Sequence, residues 1–481
     1  MQRPPTALFP SADQRRQTEA RLTAALDDLA AGIAGGPVTP TLDLPAFRNE
    51  LAGFDFRVPQ SLDAVMDWVM DRLRCGLVQI THPGYFGLFN PAPTFPAMCA
   101  DRIVATFNPQ LASATTSPAA VEIEAQTIRA IAARAGLPPG AAGHFTSGGS
   151  EANCTALICA LTTAHADFAQ VGARCFDGPP VFYVSRDAHL AWIKIAHLTG
   201  IGRAAVRLIA TDGAGRMSVA ALTNALVEDR AQGCVAVMIA ATAGTTAAGM
   251  IDPLQACARI ARDAGVWFHV DAAWGGALIA SERHRGVLAG IELADSITVD
   301  AHKWFATTMA CGMFITRHAA LLPTVFRVRN DFMPPGDAEA DPYVASLQWS
   351  RRFLGLRLFL ALATAGWEGY GAHVERAVAL AAHLKHEMEC LGWSVINDPA
   401  LAVLCIVPPP GSPDPASIVR RVLASGRAWI SVATFESRPV IRACIANGTT
   451  TARDVDILVS ALVDACSALD AGVLFAGRGE V

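Results

Sequence analysis

Apolar positions along the chain fall into two periods. In residues 11–34, Leu22, Leu26, Leu29 and Ile33 lie on one helical stripe, and Ser11 and Gln14 stand in capping-box spacing, so this stretch reads as an amphipathic helix. Its stripe needs cover, either from its own domain or from a second subunit. The helical period stops in residues 81–96, where Thr81-His82-Pro83-Gly84-Tyr85-Phe86-Gly87-Leu88-Phe89-Asn90-Pro91 is dense in turn formers and aromatics. That composition predicts a loop with aromatic walls, a kind of segment that carries function more often than scaffold does. Ser117-Pro118 then opens a helix through Val121, Ile123, Ile128 and Ile131, stopped at Gly136 with Pro138 beyond.

From there to about residue 316, short apolar runs alternate with helical stretches. The runs at 181–184, 205–209, 234–240, 266–270, 296–299 and 312–315 are apolar through most of their length, as strands covered on both faces require. Further on come a helix at 371–391, strands near Trp393 and Val403, a helix at 416–424, strands at 429–435 and 439–445, and a last helix from about Ala452. The expected organisation is an N-terminal helical segment over 1–85, a large α/β domain with a mostly parallel sheet over 86–370, and a small C-terminal α+β domain over 371–481.

Composition narrows the function. With 481 residues, a net charge of -5 and no basic cluster longer than an Arg-Arg pair, nothing predicts nucleic-acid binding. Hydrophobic content of 52% raises the question of a membrane span. The most apolar window, 234–250, contains Gly244, Thr245 and Thr246 and falls short of the roughly 20 apolar residues a span needs, so it reads as a buried strand entering a polar loop. Met1-Gln2-Arg3-Pro4-Pro5 lacks the apolar core of a signal peptide, and the 12 cysteines are scattered without a C-x-x-C pair, so a cytoplasmic protein with reduced thiols and no metal site is expected. His383 and His386 have helical spacing and read as a wet helix face.

Lysine occurs only at Lys194, Lys303 and Lys385. Lys303 ends Asp300-Ala301-His302-Lys303, directly after the run 296–299, where a strand ends and the sheet opens. Beside Trp304 and Phe305 it loses hydration, the setting of an amine that forms a Schiff base with an aldehyde. Thr146-Ser147-Gly148-Gly149-Ser150-Glu151-Ala152-Asn153 opens an apolar helix, where a glycine turn and free N–H groups favour a phosphate. In His269-Val270-Asp271-Ala272-Ala273-Trp274-Gly275-Gly276, Asp271 ends another apolar run. Ligands of open α/β sheets gather outside the carboxyl ends of the strands, so Asp271 and Lys303 are expected to face one crevice. Phosphate cradle, carboxylate and lysine match the three handles of pyridoxal phosphate.

On these three motifs, in this order, the chain resembles the group II pyridoxal-phosphate-dependent amino-acid decarboxylases, which include the aromatic amino-acid, glutamate and diaminobutyrate enzymes of the aspartate aminotransferase fold type I. The resemblance runs from the aromatic loop to about residue 447. It implies a seven-stranded sheet, a homodimer with its active site near the subunit interface, and decarboxylation of an L-amino acid to amine and carbon dioxide through an internal aldimine on Lys303. It further implies that Asp271 pairs with the pyridine nitrogen, His189 stacks on the ring, Gly149 and Ser150 hold the phosphate, Thr246 hydrogen-bonds the cofactor, Ala273 lies under the ring, His302 sits beside the lysine and Asp300 lies at the phosphate. Substrate contacts fall to Thr81 and His82 of the aromatic loop, to Phe332 and Tyr343 of a loop spanning about 327–346, and to Arg442 near the carboxylate; one of Arg351 and Arg352 is a further candidate. Position 300 is Asp where the aromatic branch has Asn, and Trp274-Gly275-Gly276 is closer to the glutamate and diaminobutyrate branches. Aldehyde synthesis coupled to decarboxylation, and carbon–carbon cleavage of the sphingosine-phosphate-lyase kind, are the alternatives within the fold.

Overall fold

Seven strands form the central sheet: β1 (Ala142–Thr146), β2 (Pro180–Ser185), β3 (Val206–Ile209), β4 (Val235–Thr242), β5 (Trp267–Asp271), β6 (Ser296–Asp300) and β7 (Gly312–Thr316). Their order is β1-β7-β6-β5-β4-β2-β3, parallel from β6 to β3, with β7 antiparallel to both of its neighbours. This computed structural model describes residues 8–328 and 341–476. Six of the seven strands lie on the apolar runs of the sequence, each within one or two residues. The remaining strand, β1, is short and carries Gly143 and His144, which conceal it from a period-two search.

The chain divides into two compact units. One takes Leu88–Pro410 and Ser431–Gly448; the other takes Met1–Gly87, Gly411–Ile430 and Thr449–Val481, of which residues 8–87, 411–430 and 449–476 are described. The segments expected over 371–481 are thus shared by both units, because residues 411–430 and 449–476 group with the N-terminal helices.

In the sheet unit, every residue of β2, β5, β6 and β7 is buried. Ala152, Ala156, Leu157, Ala160 and Leu161 of the helix Gly149–Ala164 pack with Phe182, Val184, Trp192 and Met238 in one core. Each large apolar side chain so buried is worth roughly 1.5–3 kcal/mol. The helical stretch Leu356–Cys390 is broken at Gly366, whose φ of 64° lies in the left-handed region that glycine enters without strain. A second, antiparallel sheet orders β8 (Ser394–Val395), β9 (Val403–Val407), β10 (Ser431–Phe435) and β11 (Arg438–Cys444) as β10-β11-β9-β8.

In the other unit, the expected N-terminal helix is Ala12–Gly32, with Ser11 and Gln14 forming the capping box. Neither it nor the helices Leu44–Ala52 and Leu62–Gly76 contain a buried residue. The helices Pro415–Ser425 and Ala452–Ala476 pack together here, and Tyr85 bridges to Trp429 with ring centroids 5.4 Å apart. Among the described residues no helix is long and apolar enough to cross a membrane.

Candidate active site

The strands β4, β5 and β6 end side by side, bringing Thr242, Asp271 and Asp300 to one edge of the sheet. β1 reaches the same edge, because Thr146 and Asp300 both pair in register with Gly312. The helix Gly149–Ala164 starts there, and Lys303 follows β6 by three residues. These pieces enclose a cavity of about 370 Å³ lined by residues that include Ser147, Gly149, Ser150, His189, Thr246, Asp271, Ala273, Asp300, His302 and Lys303.

Within it, Lys303 Nζ lies 2.9 Å from Asp300 Oδ2, and His302 Nε2 lies 3.9 Å from the same oxygen. The backbone N–H of Cys311 donates to His302 Nδ1 at 3.2 Å. Burial pushes the His302 pKa down, partly offset by the charge of Asp300. Burial likewise lowers His189, whose Nδ1 accepts the Ala191 N–H at 3.1 Å. Asp271 accepts from Asn153 Nδ2 at 2.8 Å and from the Ala273 N–H at 3.2 Å.

The residues fit a group that carries an aldehyde, a ring nitrogen and a phosphate. Two buried oxygens of lining residues, Asp300 Oδ1 and Thr242 Oγ1, have no hydrogen-bond partner among the described residues. A Cβ at Gly149 would come within 2.9 Å of Asp300 Oδ2 and 3.3 Å of the Ala273 Cβ, so glycine keeps the helix start clear for a ligand. An amine, a carboxylate and a helix N-terminus on three sides are the donor set such a group needs.

Outside the cavity lining stand the described residues expected to meet substrate. Arg442, on β11, donates from Nε to the Thr246 carbonyl at 2.8 Å, and its guanidinium lies 4.8 Å over the ring of Phe89. Tyr343 stacks on Trp349 at 4.8 Å. Thr81 and His82 belong to the other compact unit, where His82 lines a different cavity with Arg427 and Ser460. Phe332 lies outside the described residues. Arg351 is buried against Glu124 at 2.5 Å and Arg352 pairs with Asp101 at 3.1 Å, so both have structural partners.

Sequence reasoning gave no site role to Phe89, Ser147, Glu151, Asn153, Thr242 and Trp274, which also line the cavity. Phe89 stacks on Trp274 at 4.2 Å, and Trp274 stacks on Trp304 at 4.6 Å with an interplanar angle of 4°. Lys303 Nζ lies 5.6 Å from the Phe89 centroid. Glu151 accepts from the Ser147 backbone and hydroxyl at 2.8 and 2.7 Å and from Gln348 Nε2 at 2.8 Å, which ties the helix start to the segment after residue 345. Helical spacing could have found Asn153, which is four residues from Gly149 and shares its face.

The chain is 36% identical to L-2,4-diaminobutyrate decarboxylase of Rhizobium meliloti over 297 residues, 61% of this chain and 58% of that protein. It is 31% identical to tyrosine decarboxylase of Oryza sativa over 392 residues, 78% of this chain and 73% of that one. The crystal structure of mouse CSAD superposes with a TM-score of 0.85 at 25% identity, covering 93% of this chain and 99% of that chain. The family model described as pyridoxal-dependent decarboxylase conserved domain matches residues 50–405. That match takes in every strand end bordering the cavity, and the chain belongs to the pyridoxal-dependent decarboxylases.

Proposed function

We propose that the protein removes the α-carboxylate of an L-amino acid as carbon dioxide and releases the amine, using pyridoxal 5'-phosphate held at Lys303. The observation that carries this reading is that Lys303, Asp271 and the start of the helix Gly149–Ala164 line one cavity. When bound, the cofactor supplies an aldehyde that condenses with amines and a protonated pyridine ring that takes up the electron pair left as carbon dioxide departs. Lys303 supplies the amine that carries it, and Asp300 Oδ2 holds that nitrogen at 2.9 Å, orienting it toward the cavity side of β6. Gly149, Ser150 and the neighbouring N–H groups at the helix start, which have no partner within the helix, would hold the phosphate. Thr246 would add a hydrogen bond and Asp271 would face the ring nitrogen. His189 would cover the ring on one face and Ala273 on the other, which keeps water from the reacting carbon. Arg442 is the cation proposed for the substrate carboxylate.

We also propose a cytoplasmic homodimer. The three N-terminal helices leave Leu26, Leu44, Leu51, Leu62 and Leu73 exposed, an apolar surface that a second copy would cover, and all 12 cysteines are free thiols, as a reducing compartment keeps them. Light scattering on the eluting protein gives the mass directly.

The enzymatic test is an absorption spectrum of the protein with added pyridoxal 5'-phosphate, then L-2,4-diaminobutyrate, L-tyrosine and further L-amino acids with carbon dioxide and peroxide both followed. Carbon dioxide with amine and without peroxide is expected, together with loss of the visible band in Lys303→Ala. Peroxide rising in step with carbon dioxide would replace this reading with aldehyde synthesis, and an unchanged band in Lys303→Ala would end the assignment of that lysine.

A further inference from the structure

The carboxylate of Asp271 is the last acceptor in a row of hydrogen bonds that runs from the cavity into the core. Asn153 Nδ2 donates to Asp271 Oδ2 at 2.8 Å, and Asn153 Oδ1 lies 3.0 Å from His269 Nε2. His269 Nδ1 lies 2.8 Å from Ser296 Oγ, which receives the indole N–H of Trp267 at 2.8 Å. Asn153, His269 and Ser296 are at most 2% exposed.

The two ends set the direction of every bond between them. An indole N–H can only donate and a carboxylate can only accept. The amide must therefore turn its NH₂ to Asp271 and its oxygen to His269, so Nε2 carries the ring proton. Nδ1 is then the lone pair that accepts from the Ser296 hydroxyl, whose oxygen is left for Trp267. Burial pushes the His269 pKa down to about 4, so the ring is neutral and holds one proton to place. The Thr298 hydroxyl, 3.4 Å from Nε2, and the Trp192 ring, 5.8 Å away and edge-on, close the space around it. With the proton on Nδ1 instead, the amide would meet a lone pair with its oxygen, or flip and set that oxygen against the carboxylate.

We propose that Asn153 and His269 are positioning residues for Asp271, held in one orientation by Ser296 and Trp267, and that together they keep its carboxylate turned to the ring nitrogen of the cofactor. This rests on the reading that Asp271 pairs with that nitrogen. In buried polar networks a partner one bond removed fixes the geometry of the group that meets the ligand.

The test compares two probes on the full chain freed of cofactor: pyridoxal 5'-phosphate and its carbocyclic counterpart, in which CH replaces the ring nitrogen. Dissociation constants come from absorption titration, and melting without either probe reports the fold. The wild type is expected to prefer the nitrogen-bearing probe. Asn153→Leu should reduce that preference about tenfold and Ser296→Ala about threefold, with Ser296→Thr, which restores the hydroxyl, returning toward the wild-type ratio. A merely structural role would weaken both probes equally and leave the ratio unchanged, which overturns the proposal. If Asn153→Leu does not fold, Ser296→Ala, two hydrogen bonds further from the cavity, carries the test. Asp271→Asn separates the two readings. A wild-type ratio in that variant refutes the role of Asp271 itself, whereas a collapsed ratio there beside an unchanged one in Asn153→Leu refutes only the positioning chain.

Discussion

Gly149 shows how one missing side chain decides what the cavity can hold. A methyl group there would sit 2.9 Å from Asp300 Oδ2, a carboxylate that is itself pinned to Lys303, and 3.3 Å from the Ala273 Cβ. Gly149→Ala is therefore expected to leave the melting temperature within a few degrees while weakening pyridoxal 5'-phosphate binding by at least about tenfold, read by titration of the visible band. Lys303 and Asp271 were legible in the sequence because Asp271 ends an apolar run and Lys303 follows another within four residues, so the period places both near strand ends. Phe89 and Thr242 were not, since nothing local announces that they meet the others, and helical spacing sets Asn153 on the face of Gly149 without saying what it meets. Asn153 touches Asp271 across 118 positions of sequence, and only the packing of its helix on the sheet brings them together.

Elements rather than single residues hold the surrounding scaffold in register. Glu124, inside the helix Pro118–Arg134, accepts from Arg351 at 2.5 Å and from the backbone N–H groups of Leu354 and Gly355 at 3.0 and 2.9 Å. One carboxylate thereby fastens the entry of the helical stretch Leu356–Cys390 to its neighbour. Glu124→Gln leaves the buried Arg351 without its counter-charge and is expected to cost about 3 kcal/mol in denaturant unfolding. Glu124→Gln with Arg351→Met, which removes the stranded charge and keeps a side-chain oxygen for the Leu354 and Gly355 N–H groups, should recover most of that loss. The parallel strands were legible because burial on both faces makes them continuously apolar. β1 was hidden by Gly143, which reads as a breaker. It is glycine because a Cβ there would lie 2.0 Å from the Phe314 carbonyl of β7, a close approach that only the paired sheet reveals.

For the molecule as a whole, buried imidazoles set the response to acid. Burial holds His144 at about 3 and His269 at about 4, both below the ordinary 6.5. The unfolded chain therefore binds more protons than the native one as pH falls below 6.5, so these groups remove stability with acid, on the order of 3 kcal/mol each by the time both have titrated. Asp252, pushed up by burial to about 6, works in the opposite sense, adding stability as pH falls from about 6 toward 4. Two histidines outweigh one carboxyl, and urea midpoints measured from pH 7 to pH 4.5 should fall. His144→Leu, in a pocket walled by Phe314 and Phe326, should flatten that fall. The interleaving of the two units escaped the sequence for a related reason. Residues 411–430 and 449–476 have ordinary amphipathic helices, and period does not say which core a helix joins. One arrangement reaches beyond binding and stability. The indoles of Trp274 and Trp304 lie 4.6 Å apart and 4° from parallel, and Trp274 borders the cavity. Trp274 lies close enough to the cavity that an occupant absorbing near indole emission would drain that emission by energy transfer, so the protein carries its own optical gauge of whether the cavity is filled.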